Sequence, residues 1–222
     1  MTVPVIWNNV DLYFQNNLQQ EDPVMKSVLK ANEEAGLPAI DVSPNQGKML
    51  YLLAKLKKAN NILEIGTLGG YSSIWLARAL PNDGQIMSLE YSEKHASVAR
   101  QNIRNAGLKD KVTILVGPAL ETLPTIEEKG YHHFDFIFID ADKQNNANYV
   151  QWGLKLCKPG AVIIVDNVVR NGQVLKEDEH DPNIQGVRDC IELFSSEPRI
   201  DATAIQTVGS KGYDGFLLGI VE

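Results

Sequence analysis

Cysteine is scarce: Cys157 and Cys190 are the only two among 222 residues. They stand in no CxxC or ligand-like spacing, which excludes a disulfide scaffold or a zinc ribbon and suits a reducing cytoplasm. Both read as small core or surface residues. No apolar run reaches the roughly 18 residues that a membrane span needs, so none is expected. The opening MTVPVIWNNVDLYFQNN lacks the basic region and continuous apolar stretch of a secretory leader. Positive charge is the minority, 21 Lys+Arg against 28 Asp+Glu for a net −7, which argues against a broad nonspecific nucleic-acid footprint. There is no internal repeat, no low-complexity stretch, no G-x-S-x-G elbow and no Walker motif. The four histidines, His95, His132, His133 and His180, form no spaced pair on a helix face, and His132-His133 read as loop residues at the surface.

What is present is a globular composition, 44% hydrophobic and 22% charged. A chain of this length buries roughly 70% of its unfolded surface and needs no staples. A single cytoplasmic domain, 1–222, is expected. From residue 60 onward strand and helix patterns alternate. Strands are predicted at 61–66, 85–90, 111–117, 134–142, 161–167, 199–208 and 215–221, with helices at 70–80, 92–106, 120–128, 145–157 and 184–195. Near-continuous Ile/Val/Leu/Phe strands separated by helices predict a parallel sheet covered on both faces. The last two strands follow each other through GSKGYDG without a helix, so an antiparallel strand is expected to close the sheet edge. The fold class is doubly wound α/β, Rossmann-like, with seven strands of which the last is antiparallel. Residues 1–59 fall outside the alternation and read as an N-terminal helical cap, with helices near 8–19, 22–35 and 44–58. The charged KEDEHD (176–181) reads as a solvated loop.

Ligands of an open α/β sheet bind beyond the carboxyl ends of the strands, where strand order reverses. The residues to weigh are therefore the strand ends. The first βα loop, Gly66-Thr67-Leu68-Gly69-Gly70, permits a tight turn and close backbone approach, but Leu68 breaks the G-x-G-x-x-G pattern. No Lys or Arg lies between Lys58 and Arg78, and Glu64 precedes the loop. A positively charged nucleoside without phosphate suits it better than a pyrophosphate. Glu90, 24 residues beyond Gly66, stands where an acid hydrogen-bonds ribose hydroxyls, though this alone does not separate NAD from S-adenosylmethionine. Asp140, Asp166 and Asn167 form an all-oxygen set without His or Cys. Such a set selects a hard divalent cation, Mg²⁺ first with Mn²⁺ or Ca²⁺ open, over zinc; the alternative is strand-end acids capping helices. Asp142 stands close by as a supporting acid. Lys143, beside a metal and a sulfonium, would be pushed toward neutrality and able to act as a base; the alternative is an exposed lysine at a helix start.

LEIGTLGGYSSIWLA, GPAL at 117–120, FDFIFIDADKQNNANY and VIIVDNVVRNG resemble the motifs of the cation-dependent O-methyltransferases of the caffeoyl-CoA and catechol type. The resemblance covers nearly the whole chain, including the N-terminal helices and the closing YDGFLLG, and DADK together with DN makes it specific. It implies S-adenosylmethionine as methyl donor, metal ligands at Asp140, Asp166 and Asn167, and a catalytic lysine at Lys143. It also implies donor contacts at Val42, Glu64, Gly66, Ser72, Glu90 and Ala119, with Thr67 and Pro118 flanking them and Asp140 near the methionine end. Arg170 falls where the family often has a bulky residue near the acceptor. The basic residues that plant members use for coenzyme A are not matched, and the acidic run at 177–181 would repel CoA phosphates.

The expected reaction is methyl transfer to one hydroxyl of a small catechol-type acceptor, with the N-terminal helices and loop 171–186 as a lid. A tRNA hydroxyuridine methyltransferase is the rival, for which Lys26, Lys30, Lys48, Lys55, Lys57 and Lys58 would supply a basic face. A nicotinamide dehydrogenase is disfavoured by the missing glycine pattern, and a non-catalytic binding module leaves DADK with DN unexplained. Trp7 and VDLYF (10–14) place apolar side chains in a polar segment, so a homodimer is expected; the alternative is packing on the chain's own sheet.

Overall fold

The computed structural model describes residues 3–19 and 21–222; Met1, Thr2 and Gln20, which the single-domain span and the leader reading include, lie outside the described residues. Three helices come first: α1 (Val5–Leu18), α2 (Pro23–Glu34) and α3 (Pro44–Lys57). Then follow β1 (Asn61–Ile65), α4 (Tyr71–Ala79), β2 (Gln85–Glu90), α5 (Glu93–Asn105), β3 (Val112–Val116) and α6 (Ala119–Glu128). The chain continues through β4 (Phe134–Ile139), α7 (Asn146–Leu156), β5 (Cys157–Asp166), α8 (Pro182–Ser196), β6 (Ile200–Gly209) and β7 (Gly212–Val221). Asp22 and Ser43 start α2 and α3 by accepting the N–H groups of Met25 and Gln46, each followed by proline at the first helical position.

The seven strands form one sheet in the order β3-β2-β1-β4-β5-β7-β6. β1 to β5 are parallel, while β7 runs antiparallel to both β5 and β6. The last strand is the antiparallel one, as expected; it lies inside the sheet with β6 at the edge, which corrects only the expected edge position. Burial explains the placement: β7 carries buried Phe216, Leu217 and Val221, whereas residues 201–208 of β6 are exposed. The apolar strand takes the covered position. Two boundaries also shift. α7 stops at Leu156, and Cys157 to Gly160 are already extended, while β4 ends at Ile139 so that Asp140 to Asp142 stand clear of the sheet.

Strand alternation divides the core into two layers. Leu63, Ile65, Ile137 and Ile139 pack with Leu123 of α6, Val150 of α7 and Val187 of α8. Ile62, Phe136 and Phe138 point the other way, onto Val28, Leu50, Ile74 and Ile103 of α2 to α5. Within this second layer's strand, Asp135 is buried but satisfied: it accepts the Asn60 N–H at 3.0 Å and pairs with Lys158 at 3.2 Å. Cys190 is buried, Cys157 half-buried, and both are free thiols.

Candidate active site

Strand order reverses between β1 and β4. The registers Ile65↔Ile139 and Ile139↔Val165 bring Gly66, Asp140 and Asp166 onto the next rung, and Ile65↔Leu89 adds Glu90. The backbone closes this seam, with the Asp140 N–H donating to the Ile65 carbonyl at 2.8 Å and the Gly66 N–H to the Leu89 carbonyl at 2.9 Å. Gly66 has φ +100°, and a Cβ there would overlap the Asp140 carbonyl. Only glycine lets the first loop approach β4 this closely.

A cavity of about 780 Å³ opens over the seam, within the ~300–1,000 Å³ range of small-molecule sites. Val42, Gly66, Thr67, Ser72, Glu90, Pro118, Ala119, Asp140, Lys143 and Asn167 all line it. Of the residues expected from the sequence, only Glu64 and Asp166 are absent from the lining. Both sit directly behind it.

At one end the carboxylates are held by the chain itself. Glu90 accepts the N–H groups of Leu68 at 2.8 Å, Thr67 at 3.2 Å and Ser92 at 2.9 Å. His95 Nδ1 lies 3.2 Å from the same carboxylate. Glu64 is fully buried and accepts hydroxyl hydrogens from Ser72 and Ser88 at 2.6 Å and from Ser73. Burial pushes its carboxyl up to about 7, with the three hydroxyls pulling back. Any influence of Glu64 on a ligand passes through Ser72, which does face the cavity. The first loop is anchored from outside by Asn102, whose Nδ2 donates to the Gly69 carbonyl at 2.9 Å and to Asn32 at 3.0 Å; Asn32 in turn donates to Asp41 at 2.9 Å.

The other end lies beyond β4 and β5. Lys143 opens a 3₁₀ turn, Lys143–Asn145, and is only 7% exposed rather than at the surface; its Nζ donates to Asp140 Oδ1 at 2.7 Å. Asp166 accepts Gln46 Nε2 at 2.6 Å and the Asn167 N–H at 2.9 Å. Burial and the neighbouring Asp140 push the Asp166 carboxyl up to about 7, with Lys143 opposing them. Asn167 sits at φ +61°, a left-handed conformation that asparagine tolerates. Asp142 bonds Tyr149 and Asn145 in the cavity wall. Among the described residues no three His, Cys, Asp or Glu side chains gather as a metal cluster; the candidate donors are two carboxylates and one amide.

Several of these groups escape the sequence. Gln46 reaches Asp166 across 120 positions, and Asn32 and Asn102 carry no local motif. His95 was detectable, since it lies in the first turn of the helix that follows Glu90. Among the described residues of the N-terminal segment, only Ile40, Asp41 and Val42 line the cavity. None of the six lysines on α2, α3 and the residue after α3 lines it, and Lys26 and Lys30 pair with Glu21 and Glu34.

A switch-point cavity with a glycine-rich first loop and an acid ending β2 defines a nucleoside-binding α/β protein of the Rossmann-like class. A family model for O-methyltransferases matches residues 15–218. The chain is 49% identical over 217 residues to a catechol O-methyltransferase of Niastella koreensis, covering 98% of both proteins. It is 49% identical over 214 residues to a catechol O-methyltransferase of Mycobacterium tuberculosis, covering 96% of each. The structure of the O-methyltransferase from Bacillus cereus in complex with SAH superposes with a TM-score of 0.97 at 55% identity, over 98% of this chain and 99% of that one. This chain belongs to the O-methyltransferase family, as an enzyme that takes its methyl group from S-adenosylmethionine.

Proposed function

We propose that the enzyme methylates one hydroxyl of an ortho-dihydroxy aromatic acceptor with the help of a divalent cation. The observation that carries this reading is the meeting of Asp140 and Asp166 on one rung, with Lys143 as their shared cation, at the end of the cavity away from Glu90. Two carboxylates and an amide oxygen fit a hard cation, and burial with Asp140 alongside raises the Asp166 carboxyl. The relatives named catechol O-methyltransferase support the same acceptor class.

In this reading the Glu90 end binds the donor's nucleoside, its carboxylate taking the ribose hydroxyls while Thr67 and Leu68 N–H groups hold it in place. Asp140, Asp166 and Asn167 would hold the cation, which when bound supplies positive charge that favours the ionised form of a nearby hydroxyl. Lys143 Nζ is the proton acceptor for the attacking hydroxyl. The O–CH3 bond would form as the donor's S–CH3 bond breaks, the donor leaving as a neutral thioether; phenolate and sulfonium charges would vanish together, so a cavity wall that excludes water favours the transfer. Positioning and a fixed field are the chain's main contributions.

A homodimer is part of the proposal. α1 has no buried residue and exposes Val5 (75%), Ile6 (62%) and Leu18 (76%). It is tied to the body by polar contacts, Asp11 accepting the Ser210 N–H at 2.7 Å and Asn45 Nδ2 at 3.0 Å. A second copy covering this apolar face and the exposed β6 edge would remove both from water. Sedimentation should give twice the monomer mass, and a monomer at micromolar concentration would remove this part.

The test of the reaction is mass spectrometry of 3,4-dihydroxycinnamate and a catechol flavonoid incubated with enzyme, donor and Mg²⁺, with and without chelator. A gain of one methyl that disappears with chelator is expected. No methylation of any ortho-diol overturns the acceptor class, and methylation that survives exhaustive chelation removes the cation.

A further inference from the structure

Beyond the proposed diol-binding end, Arg170 in the cavity wall has no partner among the described residues. Arg170 lines the cavity next to Asn167, and its Nε is buried with no hydrogen-bond partner. Among the described residues its guanidinium makes no ion pair and donates no hydrogen bond. The neighbouring cations are engaged: Lys143 pairs with Asp140, while Arg188 donates to the carbonyls of Val174 at 3.1 Å, Glu179 at 3.4 Å and Lys176. Buried donors are almost always satisfied, so an orphan of this kind calls for an explanation.

The backbone adds a second, independent observation. Arg170 has φ +53° and Asn171 +55°, a conformation that disfavours a long side chain and persists only where the surroundings impose it. Asp214 imposes it, one oxygen accepting the N–H groups of Val169, Arg170 and Gly215, each at 3.0 Å. Glycine would fit this turn without strain. An arginine held there against its preference, facing the cavity and unpaired, is set up to meet an anion.

We infer that Arg170 recognises a carboxylate on the acceptor, so that preferred substrates are ortho-dihydroxy aromatics carrying one carboxylate away from the diol. This rests on the catechol reading above. A planar guanidinium pairs with a carboxylate in bidentate fashion. One free cation matches a monoanion, and the exposed Glu177 and Asp178 with the half-buried Glu179 that follow disfavour polyanionic acceptors.

The experiment compares kcat/KM for 3,4-dihydroxycinnamate and its methyl ester in the wild type and in Arg170→Met, Arg170→Lys and Arg170→Gly. The wild type should prefer the acid by about 10- to 100-fold, the value of a hydrogen-bonded charged partner. Arg170→Met should bring that ratio near one, mainly through KM for the acid, and Arg170→Lys should restore part of it. Arg170→Gly should melt at a higher temperature and still lose the preference, which separates recognition from folding. A wild type that prefers the ester, or an acid-to-ester ratio that Arg170→Met leaves unchanged, overturns the role of Arg170 while leaving the catechol reading intact. Failure of the wild type to methylate either compound overturns the catechol reading, and this inference with it.

Discussion

At the β1–β2 end of the cavity the buried acids are satisfied by the chain, whereas at the β4–β5 end charged groups are held close together or left unpaired. Glu64 takes three serine hydroxyls and Glu90 three backbone N–H groups. Across the seam, Asp140 and Asp166 share one ammonium, Arg170 Nε has no partner among the described residues, and residues 170–172 are all left-handed. The first arrangement is a finished surface, ready for a ligand that needs fixed donors and acceptors. The second is completed only by what binds there, which is the pattern expected where specificity and chemistry reside.

Breaking the second end alone should have the largest effect. Asp166→Ala is expected to lower turnover by at least about 10³-fold, roughly 4 kcal/mol of barrier, while donor affinity by calorimetry stays within a few-fold. Equal losses in turnover and donor binding would erase the distinction between the ends. Gly66→Ala attacks the seam itself. With positive φ and the Asp140 carbonyl in the way, it should cost about 3 kcal/mol of stability in denaturant unfolding.

The buried acid behind the first end sharpens the comparison through pH. Glu64 binds its proton more tightly folded, at about 7, than at its ordinary 4.5. Its contribution is whole below pH 4.5 and is lost as the pH rises through 7. Between pH 4.5 and 8 the wild type should lose on the order of 3 kcal/mol relative to Glu64→Gln; parallel stability curves for the two would show that the carboxyl ionises freely. The smallest effect belongs to Glu90→Gln, expected to weaken donor binding about 10-fold, near 1.4 kcal/mol, with acceptor KM unmoved.

Much of the first end was legible in the chain. The glycine loop and Glu90 are local signals, because a tight βα turn and a strand-end acid are written in consecutive residues. The DADK and DN motifs likewise named the strand-end acids of the second end. What they did not reveal was what holds those acids in place: Gln46 from α3 and the Asp140–Lys143 pair depend on which elements meet. Nor did they place Glu64 behind Ser72, since a strand residue's face is known from alternation but its partners are not. The position of β7 was missed for the same reason. Its order of appearance says it comes last, and only competition for burial puts it inside β6.

By itself, then, the sequence determined the alternation of strands and helices, the edge of the sheet where a ligand binds, and the residue types available there. These follow from periodicity, turn chemistry and the donor preferences of side chains, all of which act over a few residues. The tertiary structure alone decided the rung shared by Gly66, Asp140 and Asp166, the satisfaction of Glu64 and Glu90, and the unpaired state of Arg170. Register, burial and charge pairing are properties of neighbours distant in the chain, and they exist only once the sheet has closed.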